Sequence, residues 1–436
     1  MLRLTTWRAF QQPLHNLPSI LFIGKIGQKQ TWANTRLYTT TQGDSENKKH
    51  DILFFGTDEF ASNHLKALIL ERDQPGSSIG NIELVCPPDR LTGRKMNELT
   101  PSKTKALATL YDIPVHHTPV KEKTLDNWQV PGKFDLGVVV SFGYFIPPHV
   151  IETFKKGAVN VHPSLLPKYR GAAPIQHTIL GGDEVTGVTV QELDDKAFDA
   201  GRILSQEKVD LSDEVAPAYP SLLNKLSDVG CKLLVSTLRK LDYHKKNAKI
   251  QDPTKITSAP KIKKDWADIK FDVMTAWQIE QLHRAIGSQY PIKTIFTFSR
   301  FKRSKKLKQR FVTMSLHNVF LPLDSPAYYY NPPLEPGTFV FDENSGSVHV
   351  CCADGNVIGF THIQAESKKT ILAKDFVNGY EIRNNVGQFG ELSEEDVEAG
   401  MSGVRVTKKR AEYNKVIRKR LRMRKVDFER LVLNKR

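Results

Sequence analysis

A doubly wound α/β domain followed by a small antiparallel barrel is the architecture that this 436-residue sequence predicts. Three observations carry that expectation. In the first half, short runs that are apolar almost throughout alternate with helix-periodic segments, the pattern of a parallel sheet covered on both faces. Near residue 250 the chain turns polar and rich in Lys and Pro, as a linker does. Beyond it, short β-rich segments are separated by Gly, Asn, Asp and Pro at the spacing of a small barrel.

Residues 1–43 come first and contain Arg3, Arg8, Lys25, Lys29 and Arg36 with no acidic residue. That composition is expected of an organellar transit segment, removed near Arg36 to Thr41. No apolar run anywhere reaches the ~20 residues of a membrane-spanning helix. The first strand is DILFFG (51–56), and the helix after it carries Phe60, Leu65, Leu68 and Ile69 on one face. Its turn, Gly56-Thr57-Asp58-Glu59, holds one glycine and two acids, which excludes a dinucleotide pyrophosphate there. The runs IELVC (82–86), DLGVVVS (135–141) and GAVNV (157–161) are further strands, and a helix is expected around Ser221 to Leu241.

The second half begins with a helix from an Asp272 cap through Ile286, burying Ile279, Leu282 and Ile286. KTIFTF (293–298), RFVTMSL (310–316), GTFVF (337–341), SVHVC (347–351) and NVIGF (356–360) are the barrel strands. The expected boundaries are a transit segment 1–43, a catalytic domain 44–245, a linker 246–264, a barrel domain 265–385 and a basic extension 386–436.

The net charge of +15 sits at the ends: residues 1–43 contribute +5 and residues 404–436 contribute +11, leaving about −1 for everything between. The folded body is therefore not a general polycation. The four cysteines show neither a CxxC pair nor a zinc spacing, so a reduced compartment without structural metal is expected.

Chemistry concentrates in AVNVHPSLLPKYRGAAPIQ (158–176), which runs off the end of an apolar strand. Alternation in a strand puts Asn160 and His162 on the same side, at the carboxyl edge where open α/β sheets bind ligands. A later turn, within GVTVQELDDKAFDAGRIL (187–204), brings Asp194, Asp195 and Asp199. An amide, an imidazole and a carboxylate meet the needs of acyl transfer to an amine. Asn160 donates to the oxyanion, His162 shuttles the proton, and Asp199 fixes the imidazole tautomer. Ser164 lacks the elbow motif of a nucleophile. The alternative on spacing alone is that Asn160 and His162 only satisfy backbone groups at a strand end.

Asn160-Val161-His162 with Ser164 to Pro167, Arg170 to Gln176, and FDAGRIL (198–204) resembles the folate-dependent formyltransferases. DILFFGTDEFASNHLKAL (51–68) and the basic insertion PPDRLTGRKMNELTPSKTKALA (87–108) resemble the methionyl-tRNA formyltransferase branch, as do PGTFVF, DGNVIGF and AKDFVNG in the second domain. The resemblance implies a Rossmann-like formyltransferase domain and an OB-like barrel. It implies Asn160, His162 and Asp199 as catalytic residues and 10-formyltetrahydrofolate as formyl donor. Ser164, Leu165, Leu166 and Pro167 would line the folate site, and Val139 to Ile146, with Tyr144 and Phe145, would wall its pterin pocket.

The acceptor implied is initiator methionyl-tRNA, met by Arg94 and Lys95 in the insertion, by Lys261, Lys263 and Lys264 at the linker, and by Lys305 and Lys306 in the barrel. With the transit-like start, the compartment implied is the mitochondrial matrix. The basic tail offers a further RNA contact, and a monomer is the default. Two other readings remain beside this one: a transformylase with another amine acceptor, and a non-catalytic mitochondrial RNA-binding protein on the same fold.

Overall fold

The structure, a computed structural model, describes residues 49–390 apart from 94–95, 121–123, 195, 213–215, 302–306, 381 and 383–385. The transit segment, and the extension beyond residue 390, therefore lie outside the described residues.

β1 (His50–Gly56) enters the sheet as an apolar run and turns into α1 (Glu59–Arg72), where the Asp58 carboxylate caps the first turn by accepting from Ala61 N at 2.9 Å. β2 (Ile79–Cys86) follows, then a separate hairpin, β3 (Arg90–Thr92) with β4 (Glu98–Thr100), which is the basic insertion. After α2 (Lys103–Leu110) come β5 (Val115–His117), β6 (Leu136–Val140), α3 (Pro148–Ile151), β7 (Ala158–His162) and α4 (Pro174–Gly181). β8 (Val185–Glu192) and β9 (Ile203–Asp210) lead to α5 (Tyr219–Arg239) and α6 (Leu241–Lys246).

The sheet order is β5-β2-β1-β6-β7-β8-β9. The first five strands are parallel, as expected for apolar strands under two helical layers, but β8 runs antiparallel to β7 and β9 to β8. A hairpin connection explains the second reversal, since the turn between β8 and β9 carries no crossover helix. One face, with Ile52, Phe54, Val138, Val159 and Val188, is buried in the cluster that also holds α1 and α5 side chains. The other face, with Leu53, Phe55, Val139 and Ala158, packs with Phe142, Ile146, Val150 and Phe154.

The linker lies along the turn after β7 as a short parallel strand. Arg170 N donates to Thr257 O at 2.9 Å, Ala259 N to Arg170 O at 2.7 Å, and Ala173 N to Ala259 O at 3.1 Å. The approach needs Gly171: its φ is +125°, and a Cβ there would stand 2.6 Å from the Ala259 carbonyl.

α7 (Ala276–Ile286) starts the second domain with Ile279, Leu282 and Ile286 buried. Its cap is Thr275, in a reciprocal box with Gln278, and not Asp272; the three residues Asp272 to Met274 precede the helix. β10 (Lys293–Phe301), β11 (Leu307–Phe320), β12 (Thr338–Asp342), β13 (Ser347–Cys351), β14 (Val357–Ala365), β15 (Ile371–Leu372), α8 (Ala373–Gly379) and β16 (Val386–Gln388) complete it. The antiparallel order is β10-β11-β14-β13-β12-β16. A bond from Gly390 N to Ile295 O at 3.0 Å and a bridge between Phe296 and Phe389 bring the last strand back to the first, so the barrel is nearly closed around Phe296, Phe339, Phe360, Phe376 and Phe389. The closing strand lies beyond residue 385, where the sequence placed the end of this domain. Among the described residues no helix is long and apolar enough to cross a membrane, and no cluster of His, Cys, Asp and Glu is placed to hold a metal ion.

Candidate functional site

The sheet face that is apolar at β1 and β6 becomes polar at β7, β8 and β9. Register places Asn160 opposite Gln191, His162 opposite Thr189, and Thr189 opposite Gln206, so all five side chains share one face. Asn160 and His162 end β7 at the carboxyl edge, one residue apart on that face as alternation requires.

Asp199 closes the group from the turn between β8 and β9. Its backbone is left-handed at φ 56°, a conformation Asp tolerates better than most residues. Asp194 shapes the same turn by accepting from Lys196 N and Ala197 N, so it is a turn former here; Asp195 lies outside the described residues. Asp199 Oδ1 accepts from Asn160 Nδ2 at 3.0 Å and Gln191 Nε2 at 3.2 Å, and lies 3.4 Å from His162 Nδ1. Oδ2 accepts from Gly171 N at 2.9 Å. The carboxylate is thereby held in one orientation, with side-chain exposures of 6% for His162 and 10% for Asp199.

The imidazole is fixed differently from the sequence expectation. His162 Nε2 lies 2.9 Å from the Tyr169 carbonyl, which can only accept. Nε2 therefore carries a hydrogen and Nδ1 faces Asp199, so a backbone carbonyl and not Asp199 sets the tautomer. Asn160 likewise spends one amide hydrogen on Asp199, which leaves the second for another acceptor.

The turn after β7 is built on Thr189. Its hydroxyl donates to Ser164 O at 2.7 Å and accepts from Leu166 N at 3.1 Å and from Gln206 Nε2 at 2.9 Å. Ser164 is fully buried and its hydroxyl donates to Lys168 O, closing the turn that also contains Pro167. Leu165 lies over Gly187, where a Cβ would come within 2.5 Å of its side chain.

On the β6 side, Tyr144 lies 5.2 Å from Phe142, and Phe145 meets Phe198 edge to face at 5.4 Å. Phe198 is 59% exposed and adjoins Asp199. Half-exposed aromatic faces beside fixed donors and acceptors suit a flat ring system with polar edges.

Lys261, Lys263 and Lys264 are exposed around the buried Ile262, just past the linker strand. Arg94, Lys95, Lys305 and Lys306 lie outside the described residues.

Sequence reasoning missed Gln191, Tyr169, Gly171, Phe198 and Gln251. Gln191 and Thr189 had a signal, being polar at alternate places in a strand where they interleave with Val188 and Val190. Gln251 had none, for nothing in a polar linker marks one amide as buried.

A family model described as "Formyl transferase" matches residues 50–238, and one described as "Formyl transferase, C-terminal domain" matches residues 261–381. The chain is similar to the mitochondrial methionyl-tRNA formyltransferase of Rattus norvegicus, 34% identical over 76% of this chain and 78% of that protein. It is also similar to the methionyl-tRNA formyltransferase of Caldicellulosiruptor saccharolyticus, 35% identical over 76% of this chain and 98% of that protein. Among solved structures, one of HypX from Aquifex aeolicus in complex with tetrahydrofolic acid is 15% identical with a TM-score of 0.47, over 77% of this chain and 48% of that one.

Proposed function

The chain belongs to the methionyl-tRNA formyltransferase family, and on that premise we propose how its residues carry the reaction. The reaction moves the formyl group of 10-formyltetrahydrofolate to the α-amine of initiator methionyl-tRNA, giving N-formylmethionyl-tRNA for mitochondrial translation initiation. The folate supplies the activated one-carbon unit. The chain must orient an amine, take its proton and stabilise negative charge on oxygen.

His162 Nδ1 accepts the proton of the attacking amine, because Nε2 is committed to the Tyr169 carbonyl, and returns it to the folate nitrogen as the bond from that nitrogen to the formyl carbon breaks. Asp199 then faces the cation so formed and lowers its energy. Asn160 offers its second amide hydrogen to the oxygen that gains charge. Phe145, Phe198 and Tyr144 hold the flat part of the folate. Leu165, Leu166 and Pro167 shape the adjoining wall, and Ser164 acts there through the turn it closes.

Lys261, Lys263 and Lys264, with Arg94, Lys95, Lys305 and Lys306, neutralise tRNA phosphates. The chain works as a monomer in the mitochondrial matrix, and its basic tail adds an RNA contact.

The observation that carries this reading is the Asp199 carboxylate, which Asn160, Gln191 and Gly171 hold in place while His162 faces it. The test is formyl transfer from labelled 10-formyltetrahydrofolate to charged tRNA by the purified chain. Transfer to small amines and never to tRNA would leave the family's acceptor unsupported for this chain, and tight tRNA retention without transfer would favour a binding protein.

A further inference from the structure

We infer that Gln251, a linker residue, is a positioning residue for formyl transfer, acting by fixing the backbone of the Asp199 turn and the Arg170 side chain. The inference rests on the functional reading above and adds a residue on the far side of the site from the chemistry.

Gln251 is buried at 6% exposure. It reaches the site because the linker pairs with β9 two residues earlier: Lys249 N donates to Ile203 O at 2.9 Å and Ile203 N to Lys249 O at 2.8 Å. Its carbonyl oxygen accepts from Arg170 Nε at 3.0 Å and Nη2 at 2.7 Å, and a guanidinium only donates, so the amide orientation is determined. Its Nε2 then shares two hydrogens among Asp199 O at 2.9 Å, Gly201 O at 2.8 Å and Gln191 Oε1 at 3.1 Å.

Three of these partners, Asp199, Gln191 and Arg170, belong to or adjoin groups that orient the reacting centre. Asp199 O belongs to the left-handed residue whose carboxylate meets Asn160 and faces His162. Gln191 donates to that carboxylate. Arg170 lies between Tyr169, whose carbonyl fixes His162, and Gly171, whose N–H holds Oδ2. One amide thus ties together both segments that orient the carboxylate and the imidazole, from the same linker that further on carries the exposed Lys261, Lys263 and Lys264.

The isosteric change Gln251→Glu tests this in the full-length chain. It keeps the Arg170 contact and replaces the donor with an acceptor that faces three oxygens. Gln251→Met keeps the volume and removes both roles. Expected for both is a kcat lowered about 10- to 100-fold, the scale for reacting groups displaced by a fraction of an ångström. The KM for methionyl-tRNA and the affinity for tetrahydrofolate should stay within about twofold.

Lowering the pH from roughly 8 towards 5 should restore part of the Gln251→Glu deficit relative to wild type and none of the Gln251→Met deficit, because a protonated carboxyl again donates. Should Gln251→Glu fail to fold, Gln251→Met reads the same kcat. Wild-type kcat in the folded variants, or a loss confined to the KM for tRNA, overturns the positioning role. An unaltered chain that transfers no formyl group to methionyl-tRNA overturns the functional reading itself, and that outcome is seen without any variant.

Discussion

The two halves of one sheet face make opposite uses of burial. Under α3, Leu53, Phe55, Val139 and Ala158 are packed with Phe142, Ile146 and Phe154. Phe55 alone meets Trp128, Phe142 and Phe154 within 6.3 Å. Further along the same face, at the end of β7 and on β8, stand Asn160, His162, Thr189 and Gln191, nearly as buried, each with a hydrogen-bond partner. Apolar burial stabilises by area removed from water, whereas buried polar groups roughly break even only when every partner is in place. The contrast teaches that the apolar half supplies rigidity and the polar half spends it on orientation.

The contrast is broken most severely by His162→Ala or Asp199→Asn. Turnover should fall by about 10²- to 10⁴-fold, the range for a positioned proton-transfer group, while the melting temperature and tRNA affinity hardly change. Steady-state kinetics with a thermal melt checks both, and near-wild-type turnover would remove either residue from the mechanism. Phe55→Ala attacks the other half. It should cost about 3–5 kcal/mol of stability, read by denaturant titration, with activity per folded molecule retained.

A second histidine sharpens the comparison by burial without function. His64 on α1 is fully buried, donates from Nδ1 to Phe60 O at 2.7 Å, and has its pKa pushed by burial down to about 4. Its folded pKa lies below the unfolded value near 6.5, so between those values the unfolded chain binds the proton more readily. Stability from this residue is complete above pH ~6.5 and declines as pH falls, by about 3 kcal/mol once pH reaches ~4. Denaturant titrations of wild type and His64→Gln at neutral and acid pH should converge as the pH drops; parallel curves would refute the assignment. The smallest effect is expected from Lys261→Ala and Lys263→Ala, a several-fold rise in the KM for tRNA and a log–log salt slope shallower by roughly one per lost phosphate contact.

Much of the scaffold was legible because it depends on local pattern. The runs at residues 51–56 and 135–141 are apolar on both faces, which only a covered strand tolerates, and alternation alone put Asn160 and His162 together. The reversal at β8 was not legible. Residues 185–192 would look the same in either direction, since side-chain alternation carries no sign. The cap of α7 was misread because both Asp272 and Thr275 are good caps, and the reciprocal bond from Gln278 selected Thr275.

In the site, residue types were readable and their hydrogen-bond roles were not. His162 is an imidazole beside a carboxylate in either description, but the Tyr169 carbonyl that fixes its hydrogen belongs to a turn braced by the linker.

The sequence by itself determined the layers, the strand that presents Asn160 and His162, and the chemical types at the site, because periodicity and side-chain chemistry act over neighbouring residues. The tertiary structure alone decided that Asp199 would meet Asn160 across 39 residues, that Gly171 would hold its second oxygen across 28, and that Gln251 would reach its carbonyl across 52. Those meetings depend on strand register and turn geometry. A hydrogen bond needs its two atoms within a few tenths of an ångström, a precision that only the assembled backbone supplies.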